Sequence, residues 1–277
     1  MHKICLKRLN FKTEFSDIYK ALVCGKRLPS GDIKQLFVKG GLIHLTVVSG
    51  AHLLFLEKLW LKIPFSHSLK YKSLSLFLIL YSLTSQLKPP VLRALISFFF
   101  FQISEKKKLF WSKAGITLLS GLACLAYNPS WINSNSLQLS VLASLIFSYS
   151  KKSLKKNLLI YLFLLPILNR WQNLHPLTVL VNWISAPIIS GLLFPLSFLS
   201  PFLPFFYKVS DFLWSIFLKI LGVVNFFPSN LSLIKYKLPE DWTWFYILLI
   251  FFLLSLFKKL SYRYLSYEKK LVLKAYK

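Results

Sequence analysis

The chain has 277 residues, 55% of them hydrophobic, with 26 phenylalanines and a mean hydropathy of +0.55. That is too apolar for the surface of a soluble globule and too long for a single anchor, so it reads as a polytopic membrane protein. Lys and Arg outnumber Asp and Glu by 35 to 9, a formal charge of +26, which either occupies cytoplasmic loops or faces a polyanion.

Residues 1–39 form a basic, weakly amphipathic lead-in. They lack the apolar core and cleavage site of a signal peptide, so insertion is expected to use internal apolar segments. Cys5, Cys24 and Cys124 are widely spaced and odd in number. They form no CxxC pair and no Cys/His cluster, so neither a disulfide framework nor a zinc site is expected.

Apolar stretches follow at 41–61, 73–87, 90–104, 114–127, 136–150, 157–168, 176–200, 205–228 and 242–257. Crossing the hydrocarbon takes roughly 20 residues, and several stretches are shorter, so flanking Lys and Tyr are expected to snorkel. The period-2 alternation of barrel strands is absent. The fold class expected is all-α: a polytopic helical bundle of about seven to nine membrane segments, broken or re-entrant helices included. Residues 40–257 read as one transmembrane domain and 258–277 as a basic cytoplasmic tail. In the second half, Pro166, Pro176, Pro187, Pro195, Pro201, Pro204 and Pro228 punctuate the helices, and 178–204 is not expected to be one straight span.

Topology follows from the loop lysines. Loops 61–72, 105–113 and 151–156 and the tail from Lys258 are lysine-rich. The alternating loops carry only Lys88, Arg170, Lys235 and Lys237. That asymmetry places the first set in the cytoplasm. A full crossing by 41–61 would then leave the basic lead-in outside, against the same rule. The expectation that avoids this is a re-entrant or interfacial segment, broken near Gly50.

Within that segment, GGLIHLTVVSGAH puts His44, Ser49, Gly50 and His52 among apolar residues. Ser49 and His52 would share a helix face, with His44 within about a quarter turn of it. This face either lines a polar path or supplies hydrogen bonds that hold neighbouring helices. Arg93 follows Pro89 and Pro90 and either snorkels outward or meets a phosphate or carbonyl dipole within the bundle. Gln138 and Ser140 lie just inside the helix after NPSWINSN, which Asn133 or Ser134 can cap, and Asn182 stands similarly ahead of Pro187. Asp211 lies one turn after Lys208, where a local ion pair is the simplest reading. No carboxylate pair, P-loop or G-x-S-x-G elbow is present, so no enzyme activity, cofactor or metal is expected.

These residues resemble the opening of the ComEC-type competence domain. The family shows Leu-x-x-Gly, then aromatic-x-x-x-Gly, then HL-x-x-x-SG-x-H. Here they fall on Leu22 and Gly25, on Phe37 and Gly41, and on His44, Leu45, Ser49, Gly50 and His52. PPVLRALI resembles the family's Pro-x-x-RA motif through Pro90, Arg93 and Ala94. The NP…QLS block falls on Asn128, Pro129, Gln138, Leu139 and Ser140, and the late Asn-x-x-x-x-Pro segment on Asn182, Pro187 and Pro195.

The resemblance implies a bacterial inner-membrane channel, reduced to the transmembrane competence domain, that passes single-stranded DNA into the cytoplasm during natural transformation. His44, Ser49, Gly50, His52, Arg93, Gln138, Ser140, Asn182 and Pro187 would form its pathway or channel structure. Implied partners are single-stranded DNA, the lipid bilayer, a DNA receptor, a cytoplasmic motor and a separate nuclease subunit, with an oligomer left open. Basic and aromatic surfaces suit a strand's phosphates and bases. The HxHxDH-type motif of the family's metallo-β-lactamase-like domain is absent, and Leu53 and Leu54 stand where Val-Gly is common. Two alternatives remain from the residues alone: a small-molecule transporter, or a non-conducting structural membrane protein.

Overall fold

A computed structural model of the chain describes residues 1–46, 50–64, 66–149, 153–168, 177–224 and 238–275. These residues contain helices and no strand, as the apolar runs predict. Short helices α1 (His2–Arg8), α2 (Ser16–Cys24) and α3 (Asp32–Lys39) build the N-terminal unit. Then come α4 (Gly50–Leu61), α5 (His67–Thr84), α6 (Pro89–Lys106), α7 (Lys113–Tyr127), α8 (Asn135–Tyr149) and α9 (Ser153–Leu168). Last are α10 (Leu177–Ile188), α11 (Phe194–Leu199), α12 (Pro204–Val224) and α13 (Thr243–Ala275).

Local chemistry explains most of these ends. Pro89 and Pro90 open α6, where a missing N–H costs no intrahelical bond. Ser112 caps α7 by accepting from the Gly115 amide. At the end of α3, the Leu42 amide reaches back to Phe37 O and the Gly41 amide to Val38 O, a Schellman turn with Gly41 at φ 70°. That turn stops the helix before the HL-x-x-x-SG sequence. The apolar run 41–61 is therefore two structures, a 3₁₀ turn at Ile43–Leu45 and then α4 from Gly50.

Helices α5 to α8 run alternately up and down, with α9 continuing the pattern. Among the described residues, the lysine-rich ends of these helices fall at one end of the bundle. Trp60 stacks on Phe77 and donates to Ser73 Oγ there, and Lys70 donates to Leu61 O. Tyr149 meets Ser255 and lies under Lys258. The opposite end holds the α5–α6 turn, Ile132, whose carbonyl accepts from Trp244, and Leu238, whose amide meets Pro166 O. Helix α13 continues through residue 258 without a break.

Two apolar cores lie side by side. The first joins the N-terminal unit to α4, α5, α11 and α12, around Phe37, Phe194 and Trp214. The second joins α7, α8, α9 and α13, around Val141, Leu145 and Ile247. Helix α6 serves both: Val91, Leu95 and Phe98 face the first core, and Leu92 and Ile96 pack on the second. Outside, the helices expose apolar side chains, among them Leu76, Leu122, Phe147, Phe212, Phe245 and Phe252. Among the described residues one helix, Leu180–Leu199, is long and apolar enough by itself to cross a membrane. It passes through Pro187 and a π-helical turn at Ile189–Leu193 before the chain breaks after Leu199.

Three expectations are corrected. The 41–61 segment is broken near Gly50 as expected, but its part from Gly50 on does not fold back: α4 starts beside the first turns of α6 and ends at the lysine-rich end, beside Lys70. Cys5 and Cys24 are joined in a disulfide, their Cα atoms 5.9 Å apart. The pairing depends on α1 packing against α2, which no cysteine spacing encodes. Asp211 accepts a hydrogen bond from the buried Tyr19 hydroxyl, which ties α12 to α2; the lysine one turn before it is not the partner the fold supplies.

Candidate functional site

Arg93 sits one turn into α6 and is 7% exposed, so its guanidinium is held inside the bundle and does not snorkel. Its Nε donates to Ser140 Oγ of α8 at 3.1 Å and its Nη1 to Ser97 Oγ of α6 at 3.4 Å. Ser97 passes the chain on to Ser120 Oγ of α7 at 2.8 Å, and Ser120 donates to Thr117 O. Among the described residues no carboxylate pairs with Arg93. A cation so placed is expensive to bury, since neutral hydroxyls repay only part of its lost hydration.

The first residue of α4 closes the other side. A Cβ built on Gly50 would stand 3.0 Å from Arg93 Nη2 and 3.2 Å from Ala94 Cβ. Only glycine lets α4 approach α6 this closely. Two residues on, the buried His52 ring stacks on Phe194 at 4.2 Å, which brings α11 to the same region. Asn182 of α10 donates to Gly41 O at 3.4 Å and to Thr178 O at 2.8 Å, while its Oδ1 has no hydrogen-bond partner.

The expected residues are thus largely gathered. Arg93 bonds to Ser140 and packs beside Gly50, and His52 lies on the same helix turn as Gly50. Gln138 is fully buried on α8, two residues before Ser140. Its Nε2 donates to Ile132 O at 2.8 Å and its Oε1 is unsatisfied, so it braces the turn before α8. His44 does not share a helix face with His52, because it lies on the separate 3₁₀ turn, its Nδ1 buried without a partner. Pro187 is exposed on α10. Ser49 lies outside the described residues.

Ser97, Ser120, Thr117 and Phe194 belong to the site and went unread in the sequence. Ser97 had a usable signal, being four residues after Arg93 and so on its helix face. Ser120 and Phe194 had none, because both lie in helices that are apolar on every side.

Four sequence blocks, separated by up to 130 or so residues, therefore meet around one buried cation and the helix break before it. A family model described as Competence protein matches residues 22–260. The chain belongs to the competence protein family. The matched span begins at Leu22, on α2, and takes in every helix from α3 to α12 and the apolar part of α13. No curated protein and no solved structure gives a significant match. Among the described residues no group of three or more His, Cys, Asp and Glu side chains is placed to hold a metal ion.

Proposed function

We propose that this competence protein is a multi-pass channel of the bacterial inner membrane that admits one strand of DNA to the cytoplasm, and that it carries no catalytic activity of its own. The observation that carries this reading is Arg93: a buried cation with hydroxyl partners but, among the described residues, no carboxylate, placed where the family's sequence blocks converge. Ionisable groups at membrane depth tend to mark pathways, and a cation without a protein counter-ion suits a phosphate backbone. The apolar exterior supports a lipid surrounding, since a soluble chain seldom leaves so much Leu and Phe uncovered. Helices of 15 to 18 residues are about 22–27 Å long, somewhat short of the hydrocarbon thickness, so the surrounding bilayer thins or flanking lysines snorkel.

On this reading a DNA receptor delivers the strand, a cytoplasmic motor draws it in, and a separate nuclease removes its complement. The test is deletion of the gene with separate assays of surface DNA binding and of cytoplasmic entry. Loss of entry with surface binding intact supports the channel. Loss of both, or of neither, rejects it.

A further inference from the structure

The N-terminal unit is attached to the bundle at one end. His2 Nδ1 lies 2.7 Å from Thr84 O, the last residue of α5. Lys88, the cap residue of α6, donates its Nζ to the carbonyl of Gly25. Gly25 itself ends α2 at φ 74°, and a Cβ there would stand 3.3 Å from Ser85 O, so the unit rests directly on the α5–α6 turn. Cys24, the residue before Gly25, carries the disulfide to Cys5 of α1.

The far end of α5 bears Lys70 and Lys72 and adjoins Lys62. Eighteen residues of helix separate the two ends, about 27 Å. The lysine-rich ends of α6, α7 and α13 share that far side. With those lysines in the cytoplasm, the Cys5–Cys24 bond lies across the membrane from it. That is the compartment in which protein disulfides form and persist. The bond and the loop lysines are independent observations and they agree. The positive charge of residues 1–39 runs against the positive-inside bias, so the placement of this segment rests on the disulfide and on its contacts with the α5–α6 turn.

The turn has need of a brace. Gln86 and Leu87 both lie in the left-handed region, at φ 59° and 48°, where neither residue type is at ease. Lys88 follows at once, and Arg93 comes five residues later on the same helix.

We infer that residues 1–25 form an extracytoplasmic brace, closed by thiol oxidation after translocation, that fixes the α5–α6 turn and so the placement of Arg93. Its partner is a dithiol–disulfide oxidoreductase of that compartment. One cysteine thiolate attacks the oxidant's disulfide and displaces one of its sulfurs as a thiol. The second cysteine then attacks the mixed disulfide, forming the Cys5–Cys24 bond and releasing the oxidant as a dithiol that holds the two electrons and two protons removed.

The inference rests on the membrane-spanning reading but not on DNA conduction, and the experiment separates the two. In the full chain carrying Cys124→Ser, thiols are counted with a large maleimide on denatured protein, with and without prior reduction. The expected result is no modification before reduction and two after, with two before reduction in cells lacking the envelope's thiol oxidant. Free Cys5 and Cys24 in wild-type cells overturn the inference. Sidedness is read in cells with a permeable outer envelope, using an impermeant phosphine and an impermeant maleimide. Labelling of Cys5 and Cys24, with a Lys62→Cys residue protected, is expected. Protection of Cys5 and Cys24 with Lys62→Cys labelled overturns the brace's location alone, and labelling of all three overturns the membrane-spanning reading with it. Finally, Lys88→Met and Cys5→Ser/Cys24→Ser should each lower DNA entry at least tenfold at unchanged protein level; full entry in both overturns the coupling to Arg93.

Discussion

Gly50 and Arg93 are packed against each other so closely that a single added carbon on Gly50 would fall 3.0 Å from the arginine's Nη2. The guanidinium can yield, being the end of a flexible chain. Ala94 Cβ, at 3.2 Å on the same contact, cannot retreat without moving α6.

Gly50→Ala should therefore displace Arg93 from Ser140 more than it destabilises the fold. Overpacking of this kind costs about 1–3 kcal/mol, within what a packed bundle tolerates. The expected outcome is near-normal protein in the membrane by immunoblot, with transformation frequency reduced at least tenfold. Unchanged transformation would separate this contact from function.

Arg93→Ala removes the cation and should abolish DNA entry, by about a hundredfold or more. Arg93→Lys keeps the charge but loses the planar fork that spans Ser140 and Ser97. It should retain partial entry, between the wild type and the alanine variant. Equal loss in both would mean that geometry alone, and not charge, matters at this position.

The hydroxyl network should show coupling in a double-mutant cycle. Ser140→Ala leaves the Arg93 Nε without its acceptor, a loss of about 1–3 kcal/mol. With Arg93→Met already present, the same change should cost much less, because no buried donor is then stranded. Thermal unfolding of the detergent-purified protein measures all four corners, and additive effects would reject the pairing.

His52 divides two roles that a ring can play. His52→Phe preserves the stack on Phe194 and should keep thermal stability close to wild type. His52→Ala opens a cavity and should cost about 2–4 kcal/mol. If the imidazole also serves the pathway, His52→Phe lowers DNA entry despite its stability, and transformation assays of the two variants decide between packing and passage.

Much of the bundle was legible because apolar runs this long have few other uses. The runs near 90–104, 114–127 and 136–150 became α6, α7 and α8 with ends shifted by one or two residues. In the run at 41–61 the break near Gly50 was legible but its cause was not, because hydrophobicity is blind to backbone conformation: Gly41 closes a Schellman turn inside the run, and the helix restarts only at Gly50. Arg93, Gly50 and Ser140 were found through local motifs that each contain a chemically distinctive residue. Ser97 could have been, since it follows Arg93 by one helical turn, but Ser120 could not, because a serine among apolar residues gives no sign of which neighbour on another helix it will meet. The Cys5–Cys24 bond was hidden for a similar reason, its partners being chosen by how two short helices pack.

The π-helical turn at Ile189–Leu193 bears on all of this through arithmetic. A π turn holds an extra residue in the helical ladder, so everything after it is rotated by about 100° relative to an uninterrupted α-helix. Phe194, the first residue beyond the turn, owes its bearing on His52 to that surplus, and Ser197 owes it the hydroxyl it offers to Trp214. Removing any one residue between 189 and 193 would let the ladder close as plain α-helix with both side chains still facing their partners, whereas closing it with every residue kept would turn both away by that same angle. A substitution that favoured plain α-helix at the same five positions would therefore be the harsher change, because what this stretch contributes is the residue it holds out of step.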